Sequence, residues 1–456
     1  MPDLGSLLVA LSDPVAGVRQ TAAIALGLLK DPRARTTLAL VLSDPDAAVR
    51  ASAAEALGAI GRPESRPDLE RALDDGDEKV RTNAGYALAY LGDARSLPGL
   101  RAHLEDASPA VRRAIATALG SVGNDDAVFL LHRMLRDPVD RVRREAVLAI
   151  GRSESARELE VLRESLWDPS RRVRVAAAIV LGRHRDRAAV PLLLERLRGP
   201  ETWEKPAVLV ALGRIGAREA IPMLVDAAGH PAHWVRVCAI HALGEMRAPE
   251  GLAIARAHLD DEAWPVRGAA AMALGDVGSA EDLPALLKHL ADPHPWPRRS
   301  ATYALGYLGL AEAAPRIREE LADPAAEVRL AAVWALGRLH DDGARDALVR
   351  MLYTVAPDGP ESSRGGEPTE EGAVPSDAEV RLFPAVIQAL GRIGHGEEPD
   401  PIVHRALLAA RERLSDEELD RTARLPMPEV TVDHPAPTVR RLFESILPSL
   451  SEDDGT

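Results

Sequence analysis

The 456-residue chain holds little of several residue types on which common protein classes depend. Its one cysteine, Cys238, excludes an intramolecular disulfide and a cysteine-rich metal site. Aromatic residues make up 3% of the chain, so the apolar core must come from Ala, Leu and Val, which suits closely packed helices. No apolar run approaches the ~20 residues of a membrane span, and the N-terminus lacks the pattern of a signal peptide. We therefore expect a cytoplasmic protein without a membrane segment.

Lysine is also scarce, with 4 Lys against 52 Arg, a bias that together with abundant Ala and Gly is typical of GC-rich bacterial genomes. The formal net charge is −14. Bulk electrostatic binding of nucleic acid needs a basic surface, so this charge disfavours a nucleic-acid partner while leaving room for a local basic patch.

Sequence motifs of enzymes are missing as well. There is no GxxxxGK[ST] loop, no GxGxxG that follows a strand, and no HExxH. A Ser-His-Asp arrangement would be spatial and cannot be argued from sequence. We predict no cofactor and no catalytic residue.

What the sequence does contain is a repeat, because the pair Val-Arg recurs at a constant interval of thirty-one positions. A fixed period of this size indicates a stack of identical supersecondary units, each of which buries its apolar face against its neighbours. The pair stands at Val18-Arg19, Val49-Arg50, Val80-Arg81, Val111-Arg112, Val142-Arg143, Val173-Arg174, Val235-Arg236, Val266-Arg267 and Val328-Arg329, with Pro297-Arg298 in the same frame.

One unit illustrates the local structure that the pattern predicts. Asp31-Pro32 is a helix start, since Asp caps and Pro fits the first turn. A helix is predicted over residues 34–42, and residues 43–46 break it and cap a second helix over residues 47–60. Gly61 can end that helix in the left-handed conformation. The unit is therefore two antiparallel helices, called A and B.

The same frame fits the chain thirteen times. In most repeats an Asp opens the turn between helices A and B, and a Gly stands late in helix B. Gly inside a helix costs about 1 kcal/mol relative to Ala, so its recurrence predicts close backbone packing at that position. This Gly is found at Gly27, Gly58, Gly120, Gly151, Gly182, Gly213, Gly244, Gly275, Gly306, Gly337 and Gly391.

Units such as Leu42-Ser43-Asp44-Pro45 with Val49-Arg50 and Ala56-Leu57-Gly58 resemble HEAT repeats of the phycobilisome-lyase type over nearly the whole chain. The resemblance implies an all-α fold, a right-handed α-solenoid of about thirteen 31-residue helix pairs, with helix A outside and helix B lining a concave groove. It implies little about activity, because this repeat is a scaffold for many partners. Deoxyhypusine hydroxylases share the fold and hold two irons with His-Glu pairs. This chain has no His-Glu dipeptide, which excludes that activity.

The repeated arginines are interpreted as structural rather than as ligand-binding. Arg19, Arg50, Arg81 and their successors form one row beside the row of turn Asp residues. We therefore expect an Arg–Asp ladder that runs along the stack.

The repeat is altered at Glu204-Lys205, where Val-Arg is lost, Gly199 replaces the turn Asp and Pro206 follows. The helical frame persists, since Ala211-Leu212-Gly213 arrives on time. We expect a local bend or a missing rung of the ladder here, and a neutral, decayed repeat is the equal alternative.

Two insertions fall in A–B turns on one edge of the solenoid. The residues equivalent to Val328 in the next two repeats are Leu382 and Val439, so the first step exceeds the period by twenty-three positions and the second by twenty-six. Such insertions either mark a binding edge or are tolerated surface loops. The predicted organisation is residues 1–353 as repeats one to eleven with helix A of the twelfth, 354–376 as a flexible acidic insertion, 377–414 as the rest of the twelfth repeat with helix A of the thirteenth, 415–434 as a second insertion, and 435–456 as a terminal helix and acidic tail.

Aromatic residues occupy positions that should be exposed. Helix B positions two, six and ten residues after the Val fall between the Ala and Leu core positions and should face the groove. Aromatics in exposed rows indicate an interaction surface, and the alternative for the tryptophans is packing between adjacent repeats. The groove positions hold Tyr86, Tyr90, Tyr303, Tyr307 and Trp334, and consecutive A–B turns hold Trp203, Trp234, Trp264 and Trp296.

Arginines cluster in the groove positions of the fourth to seventh repeats. Between residues 141 and 187 there are 12 Arg and 7 acidic residues, a local charge of +5. This favours an acidic partner segment or a phosphate group, and the alternative is a solvated face with partners four residues away. The groove arginines are Arg113, Arg144, Arg152, Arg183 and Arg214.

Two sets of histidines are candidate ligands. His230, His233 and His241 fall in one repeat, but without an acidic or Cys partner at fixed spacing we predict no metal. A second set shares one helix A position and is expected to face solvent; it consists of His103, His258 and His289.

These observations predict a non-enzymatic scaffold that binds a protein or peptide with an acidic segment in its concave groove. Bilin lyases share the repeat, so a lyase-like enzyme or enzyme subunit is the alternative. A nucleic-acid-binding protein, as among the HEAT-like alkylpurine DNA glycosylases, is a further rival that the net charge disfavours.

Overall fold

The structure is a computed structural model that describes residues 4–152, 156–199, 204–354, 385–386 and 389–390. Within these ranges every regular element is a helix, and none is both long and apolar enough to cross a membrane. Consecutive helices pair as predicted, so each odd-numbered helix below is a helix A and the even-numbered helix after it is the helix B of the same repeat. The predicted α-solenoid fold is confirmed.

The helices divide between two compact units, Met1–Ile215 and Gly216–Thr456. The boundary follows the helix B of the altered repeat. The first unit holds α1 (Leu4–Ala10), α2 (Ala16–Leu29), α3 (Arg35–Val41), α4 (Ala47–Ile60), α5 (Arg66–Ala72), α6 (Glu78–Leu91), α7 (Leu97–Ala102), α8 (Pro109–Val122), α9 (Asp125–Met134), α10 (Asp140–Ile150), α11 (Ala156–Glu164), α12 (Arg171–Arg183), α13 (Val190–Arg198) and α14 (Lys205–Ile215). The second holds α15 (Ile221–Ala228), α16 (His233–Glu245), α17 (Pro249–His258), α18 (Trp264–Val277), α19 (Leu283–His289), α20 (Pro295–Leu308), α21 (Ala314–Glu319), α22 (Ala326–Arg338) and α23 (Arg345–Thr354).

Short 3₁₀ turns precede or follow many of the A helices, as the second repeat illustrates. Asp31 accepts a hydrogen bond from the backbone N–H of Arg33 and so caps the turn Pro32–Ala34, which leads into α3. Asp46 caps α4 by accepting from the backbone of Ala48 and Val49, and Gly61 ends α4 at a φ of 69°. The predicted bounds of helix B and both of its end signals are confirmed. The other 3₁₀ turns are Pro63–Ser65, Ala94–Ser96, Ser165–Trp167, Arg187–Ala189, Arg218–Ala220, Ala280–Asp282, Ala311–Ala313, Glu320–Ala322 and Asp342–Ala344.

The late glycine of helix B is the point where neighbouring B helices touch. A Cβ atom placed on Gly58 would lie 2.7 Å from the Cα atom of Ala87, and one placed on Gly182 would lie 2.7 Å from the Cα atom of Ala211. Real Cβ atoms do not approach backbone this closely, so the absence of a side chain sets the distance between the helices. The close packing predicted from the sequence is confirmed.

The twelfth repeat makes the same contact across the first insertion. Gly337 faces Ala389, whose Cα atom would be 2.9 Å from an added Cβ. Gly337 and Ala389 are twenty-three positions further apart in the sequence than Gly58 and Ala87, and this difference is the length of the insertion. The two pairs nevertheless make the same kind of contact. Val386, Ala389 and Leu390 are buried. Thr354 is the last residue of α23, and the rest of the insertion at 354–376, the insertion at 415–434 and the tail at 435–456 lie outside the described residues.

Replacing Gly182 with Ala should destabilise the protein. The added methyl group must push α12 away from α14, which costs about 1–3 kcal/mol of unfolding free energy and exceeds the helix propensity that Ala adds. Gly17→Ala is the matched control, because no atom lies within 4 Å of a Cβ at that helical position. It should stabilise by up to about 1 kcal/mol. Chemical unfolding of both variants measures this, and equal stability of the two would contradict it.

The Arg–Asp ladder is present, and each rung joins two repeats. Arg50 donates from Nε and Nη2 to the two carboxylate oxygens of Asp75, at 2.7 and 2.8 Å. Its third nitrogen, Nη1, donates to the backbone O of Asp44 at 2.9 Å, in the turn of its own repeat. Asp75 Oδ1 also accepts from the N–H of Asp77 at 2.8 Å, which fixes the turn. One guanidinium therefore holds two consecutive turns.

The same geometry recurs in both units. The rungs are Arg19–Asp44, Arg50–Asp75, Arg81–Asp106, Arg112–Asp137 and Arg143–Asp168 in the first unit, and Arg236–Asp261, Arg267–Asp292 and Arg298–Asp323 in the second. The pairs are shielded from water, with side-chain exposures of 18% and 14% for Arg50 and Asp75. Because the contact is bidentate and shielded, it is stronger than an ordinary surface ion pair. The structural interpretation of the repeated arginines is confirmed.

The altered repeat keeps the rung to the preceding repeat by a substitution. The expected missing rung is the next one, since Lys205 and His230 replace its Arg and Asp and no ion pair or hydrogen bond joins these two described residues. Arg174 donates to the backbone O of Asp168, as every ladder Arg does to its own turn. In place of the Asp that Gly199 lacks, it binds the carboxylate of Glu204, which is buried and also binds Arg196. The longer side chain of Glu reaches the same guanidinium from five residues further along the chain. Trp203, which directly precedes it, lies outside the described residues.

Asp75→Asn should lower the unfolding free energy at neutral pH by about 1–3 kcal/mol. Asn retains an acceptor for the N–H of Asp77 but loses the charged, bidentate contact with Arg50. Glu55→Gln removes the same charge at an exposed site and should change stability by less than about 0.5 kcal/mol. Chemical unfolding at pH 7 compares the two.

The difference in unfolding free energy between the wild-type protein and Asp75→Asn should decrease as the pH falls. The hydrogen bond from Arg50 holds the pKa of Asp75 below its ordinary value. The stabilisation is therefore complete above the ordinary Asp pKa of about 3.9 and is lost as pH falls through the lower pKa of the folded state. Unfolding curves from pH 7 to pH 2 should show the two proteins converge, and a difference that stays constant to pH 2 would contradict the assignment.

Candidate functional site

The predicted groove positions form one face of the B helices, here called the B face: positions two, six and ten after the repeated Val. In α6, Val80, Ala84 and Leu88 are buried, whereas Tyr86 is half-buried and Tyr90 is 74% exposed. Tyr90 lies beside Gly58 of the preceding helix B. The pattern of core and exposed positions in this helix is the predicted one.

Five arginines of the B face lie in the first unit, on or directly after the consecutive helices α8, α10, α12 and α14. We call Arg113, Arg144, Arg152, Arg183 and Arg214 the basic strip. Arg113 donates from Nε to the hydroxyl of Tyr86 at 2.9 Å, which joins the strip to the aromatic positions of the third repeat. Arg152 and Arg183 are exposed and the other three are half-exposed.

Carboxylate partners are nearly absent from the strip within the part of the chain that the structure describes. The contact between Arg152 and Glu145, at 3.2 Å, is the one ion pair of the strip among the described residues. The arginines of the ladder and some others in the first unit are paired, for example Arg163 with Asp186 at 2.6 Å. The alternative was a solvated face whose arginines pair with residues four positions away. Among the described residues, no arginine of the strip makes such a pair.

The charge of the chain is also distributed unevenly. Residues 1–215 hold 32 Arg and Lys and 30 Asp and Glu, a net charge of +2, whereas residues 216–456 hold 24 and 40, a net charge of −16. The acidic character of the whole chain therefore comes from the second unit. The basic strip therefore lies in the unit that lacks this net negative charge.

Two turn tryptophans of the second unit, Trp264 and Trp296, pack between repeats, as the alternative interpretation proposed. Trp296 lies over Gly268 of the preceding helix B, where an added Cβ would meet its ring at 2.0 Å. The ring of Trp264 stacks on that of His294, with centroids 3.8 Å apart and an angle of 8°. Arg299 covers Trp296 at 4.7 Å from the ring centroid. Trp264 remains 38% exposed, and Trp234 is half-buried.

Three predicted groove aromatics, all in the second unit, form a cluster with one arginine. Trp334 contacts Tyr303 and Tyr307, with ring centroids 5.2 and 4.8 Å away. Arg338 lies 5.6 and 5.7 Å from the ring centroids of Tyr307 and Trp334 and donates to the backbone O of Gly306 at 3.1 Å. Burial raises the pKa of Tyr307. The two tyrosines are half-buried.

The expectation that Trp334 faces solvent was wrong, since it is only 7% exposed. Its ring lies across Gly306, where an added Cβ would meet the ring at 2.8 Å, and the tyrosines and Arg338 cover the remainder. A Gly in one repeat creates room for a large side chain from the next, and the sequence position alone does not reveal it. The cluster is therefore primarily a packing element between repeats.

Trp334→Ala should destabilise the protein by about 3–5 kcal/mol, because a large buried side chain is removed from between two repeats. Tyr90→Ala is the control, an aromatic on the same kind of B-face position that is 74% exposed and should cost less than about 0.5 kcal/mol. Thermal or chemical unfolding of both variants tests the difference. Equal losses in the two variants would mean that the burial of Trp334 has no energetic effect.

The expectation that the helix A histidines face solvent was wrong. His289 is 5% exposed, and burial lowers its pKa. His258 bonds through Nδ1 to the backbone O of Ile254 and through Nε2 to that of Ala228, in the preceding repeat. His103 makes the equivalent contacts with Gly99 and Asp74. These histidines link neighbouring A helices, a role that depends on which residue of the next repeat is in reach.

Among the other candidate ligands, His230 has a structural role. His230 occupies the turn Asp position, where its Nδ1 accepts from the N–H of Ala232 and its backbone O accepts from Arg236. No group of three or more His, Cys, Asp and Glu that could hold a metal occurs within the described ranges. Cys238 is buried, which raises its pKa to about 12.

Two exposed apolar residues of the B face were overlooked in the sequence. Ile24 and Leu28 stand six and ten residues after Val18, and they are 46% and 79% exposed. The rule that identified Tyr86 and Tyr90 in the third repeat identifies these two when it is applied to the first repeat. Arg338, ten residues after Val328, was overlooked in the same way.

The family follows from the comparison with known proteins. A family model described as HEAT repeats matches residues 4–89, 37–107, 97–174, 160–237, 228–306 and 283–359. The chain belongs to the HEAT-repeat family. The resemblance noted from the sequence is thereby confirmed. None of the curated proteins matches the chain.

Three solved structures are similar to this chain, and the first of them, with a TM-score above 0.5, shares its fold. Importin beta is 16% identical, with 90% of this chain and 68% of that chain covered and a TM-score of 0.51. The complex of CpcE and CpcF of phycocyanin lyase from Nostoc sp. PCC7120 is 24% identical, with 54% of this chain and 95% of that chain covered and a TM-score of 0.34. Human deoxyhypusine hydroxylase in complex with glycerol is 27% identical, with 56% and 99% covered and a TM-score of 0.26.

Proposed function

We propose that this HEAT-repeat protein is a non-enzymatic scaffold that binds an acidic segment of a protein partner on the B face of its first unit. The observation that carries the proposal is the basic strip. Arg144, Arg183 and Arg214 have no hydrogen-bond or ion-pair partner among the described residues, in a chain whose net charge is −14. Arginines that serve the fold of the first unit, such as Arg50 and Arg163, are held by carboxylates.

The surroundings of the strip favour a peptide over a small ion. Its arginines come from four successive B helices, so a ligand that contacts all of them must extend across several repeats. Ile24, Leu28 and Tyr90 expose apolar surface on the B face of the same unit, towards its N-terminal end. An acidic segment followed by an apolar anchor would match both parts, since aromatic anchors provide binding energy and charge complementarity guides association.

Reversal of two strip charges tests the proposal. The full-length protein is titrated with fluorescently labelled poly-L-glutamate at low salt, which presents carboxylates at every spacing. Arg152→Glu with Arg183→Glu should weaken binding at least about tenfold, equivalent to 1.4 kcal/mol, and the loss should shrink as salt screens the charges. Both side chains are exposed, so the variant should remain folded.

Arg62→Glu with Arg101→Glu is the matched control, because it makes the same charge change at exposed positions outside the B face. It should leave binding within about twofold of wild type. An equal loss in both double variants would mean that only net charge matters. A single-stranded oligonucleotide that binds more tightly than poly-L-glutamate through Arg152 and Arg183 would replace the protein partner by a nucleic acid.

A further inference from the structure

Three arginines of the basic strip occupy one repeated position. Arg152, Arg183 and Arg214 each directly follow the late glycine of a helix B, so they form a row with one guanidinium per repeat. Arg113 and Arg144 form a second, shorter row at the start of their B helices. The ladder holds successive repeats in one register, so the spacing within each row equals the spacing of the helices.

That spacing is set by the close packing of the B helices. A Cβ atom on Gly182 would lie 2.7 Å from the Cα atom of Ala211, and one on Gly151 would lie 2.5 Å from Cγ1 of Val180. Helices in such contact have axes about 8–10 Å apart. The row therefore presents one positive charge roughly every 9 Å.

The surface beside the row is aliphatic. Leu148 and Ile179, six residues after the Val of their repeats, are half-buried next to Arg152 and Arg183 on the B face. Towards the N-terminus, the next repeat has Thr117 and Ser121 at these B-face positions, and Tyr86 and Tyr90 stand one repeat further. A bound chain would thus meet charges at intervals of one repeat and apolar groups beside them.

An extended chain in the polyproline II conformation matches this pattern. It rises about 3.1 Å per residue with three residues per turn, so every third side chain points the same way at steps of about 9 Å. A β-strand repeats its facing side chains at about 6.6 Å, which does not match. An α-helix matches only every seventh residue, at about 10.5 Å, and would bring three carboxylates to the row only over fifteen residues.

We propose that the row of Arg152, Arg183 and Arg214 recognises an acidic peptide in the polyproline II conformation with a carboxylate at every third position. The intervening positions hold Pro or other apolar residues, which lie against Leu148 and Ile179. Aromatic side chains are the usual surface on which such chains dock, and Tyr90 offers an exposed ring. This inference rests on the proposed function and adds the spacing and conformation of the ligand.

Two labelled peptides of identical composition test it on the full-length protein. One is Glu-Pro-Pro repeated four times, and the other is Glu-Glu-Pro-Pro-Pro-Pro repeated twice. Length, charge and stiffness are equal, so fluorescence anisotropy measures the spacing of the carboxylates alone. The first peptide should bind at least fivefold more tightly at low salt.

The preference should disappear in Arg183→Gln with Arg214→Gln, which removes two charges of the row. It should persist in Arg62→Gln with Arg101→Gln, the matched control outside the B face. Melting curves of both variants verify that each is folded.

The remaining outcomes separate this inference from the proposed function. Equal binding of the two peptides, with poly-L-glutamate still bound, would overturn the spacing and leave acidic recognition in place. Tighter binding of an alanine-rich helix with glutamate at every seventh residue would overturn the polyproline II conformation. Failure of both peptides and of poly-L-glutamate to bind would overturn the proposed function as well.

Discussion

The Arg–Asp ladder is the interaction on which the rest of each unit depends. One guanidinium, such as that of Arg50, binds the carboxylate of the next turn and the backbone carbonyl groups of its own turn. The carboxylate in turn fixes the backbone of the turn to which it belongs. Neighbouring repeats cannot slide past one another without breaking several charge-assisted hydrogen bonds at once. The ladder thus fixes the register in which side chains of successive repeats come into line.

A fixed register makes rows of equivalent side chains possible. The late glycines let the B helices approach closely, as Gly182 does with Ala211, so a side chain that recurs once per repeat is repeated about every 9 Å in space. Arg152, Arg183 and Arg214 use this regularity to present charge. Tyr307 occupies the same position as these arginines but packs against Trp334, for whose indole ring Gly306 leaves room. The same position therefore serves a surface in one unit and the interior of the other.

Most of the fold could be predicted because it depends on local and periodic signals. The capping Asp46, the terminating Gly61 and the apolar stripe of helix B predicted α4 at the bounds that the structure has. The ladder followed from two rows of opposite charge with one period. The sequence did not reveal that Glu204 would restore the rung at Gly199, because the compensation depends on the reach of a longer side chain from a different place in the turn. The linking role of His258 depended similarly on the carbonyl of Ala228, in the preceding repeat.

By itself, the sequence determined the helix pairs, the repeat length, the ladder and the B-face positions, because each depends on residues at fixed separations within one or two repeats. Only the tertiary structure decided which of those positions are available to a partner. Exposure of Arg183 and burial of Trp334 differ although both are B-face residues, since each depends on what the neighbouring repeats place beside it. Arg338 shows the same dependence. It stands at the position of Arg183, but its guanidinium packs against the rings of Tyr307 and Trp334. The repeat period determines the backbone position of a side chain, and packing between repeats determines what that side chain contacts.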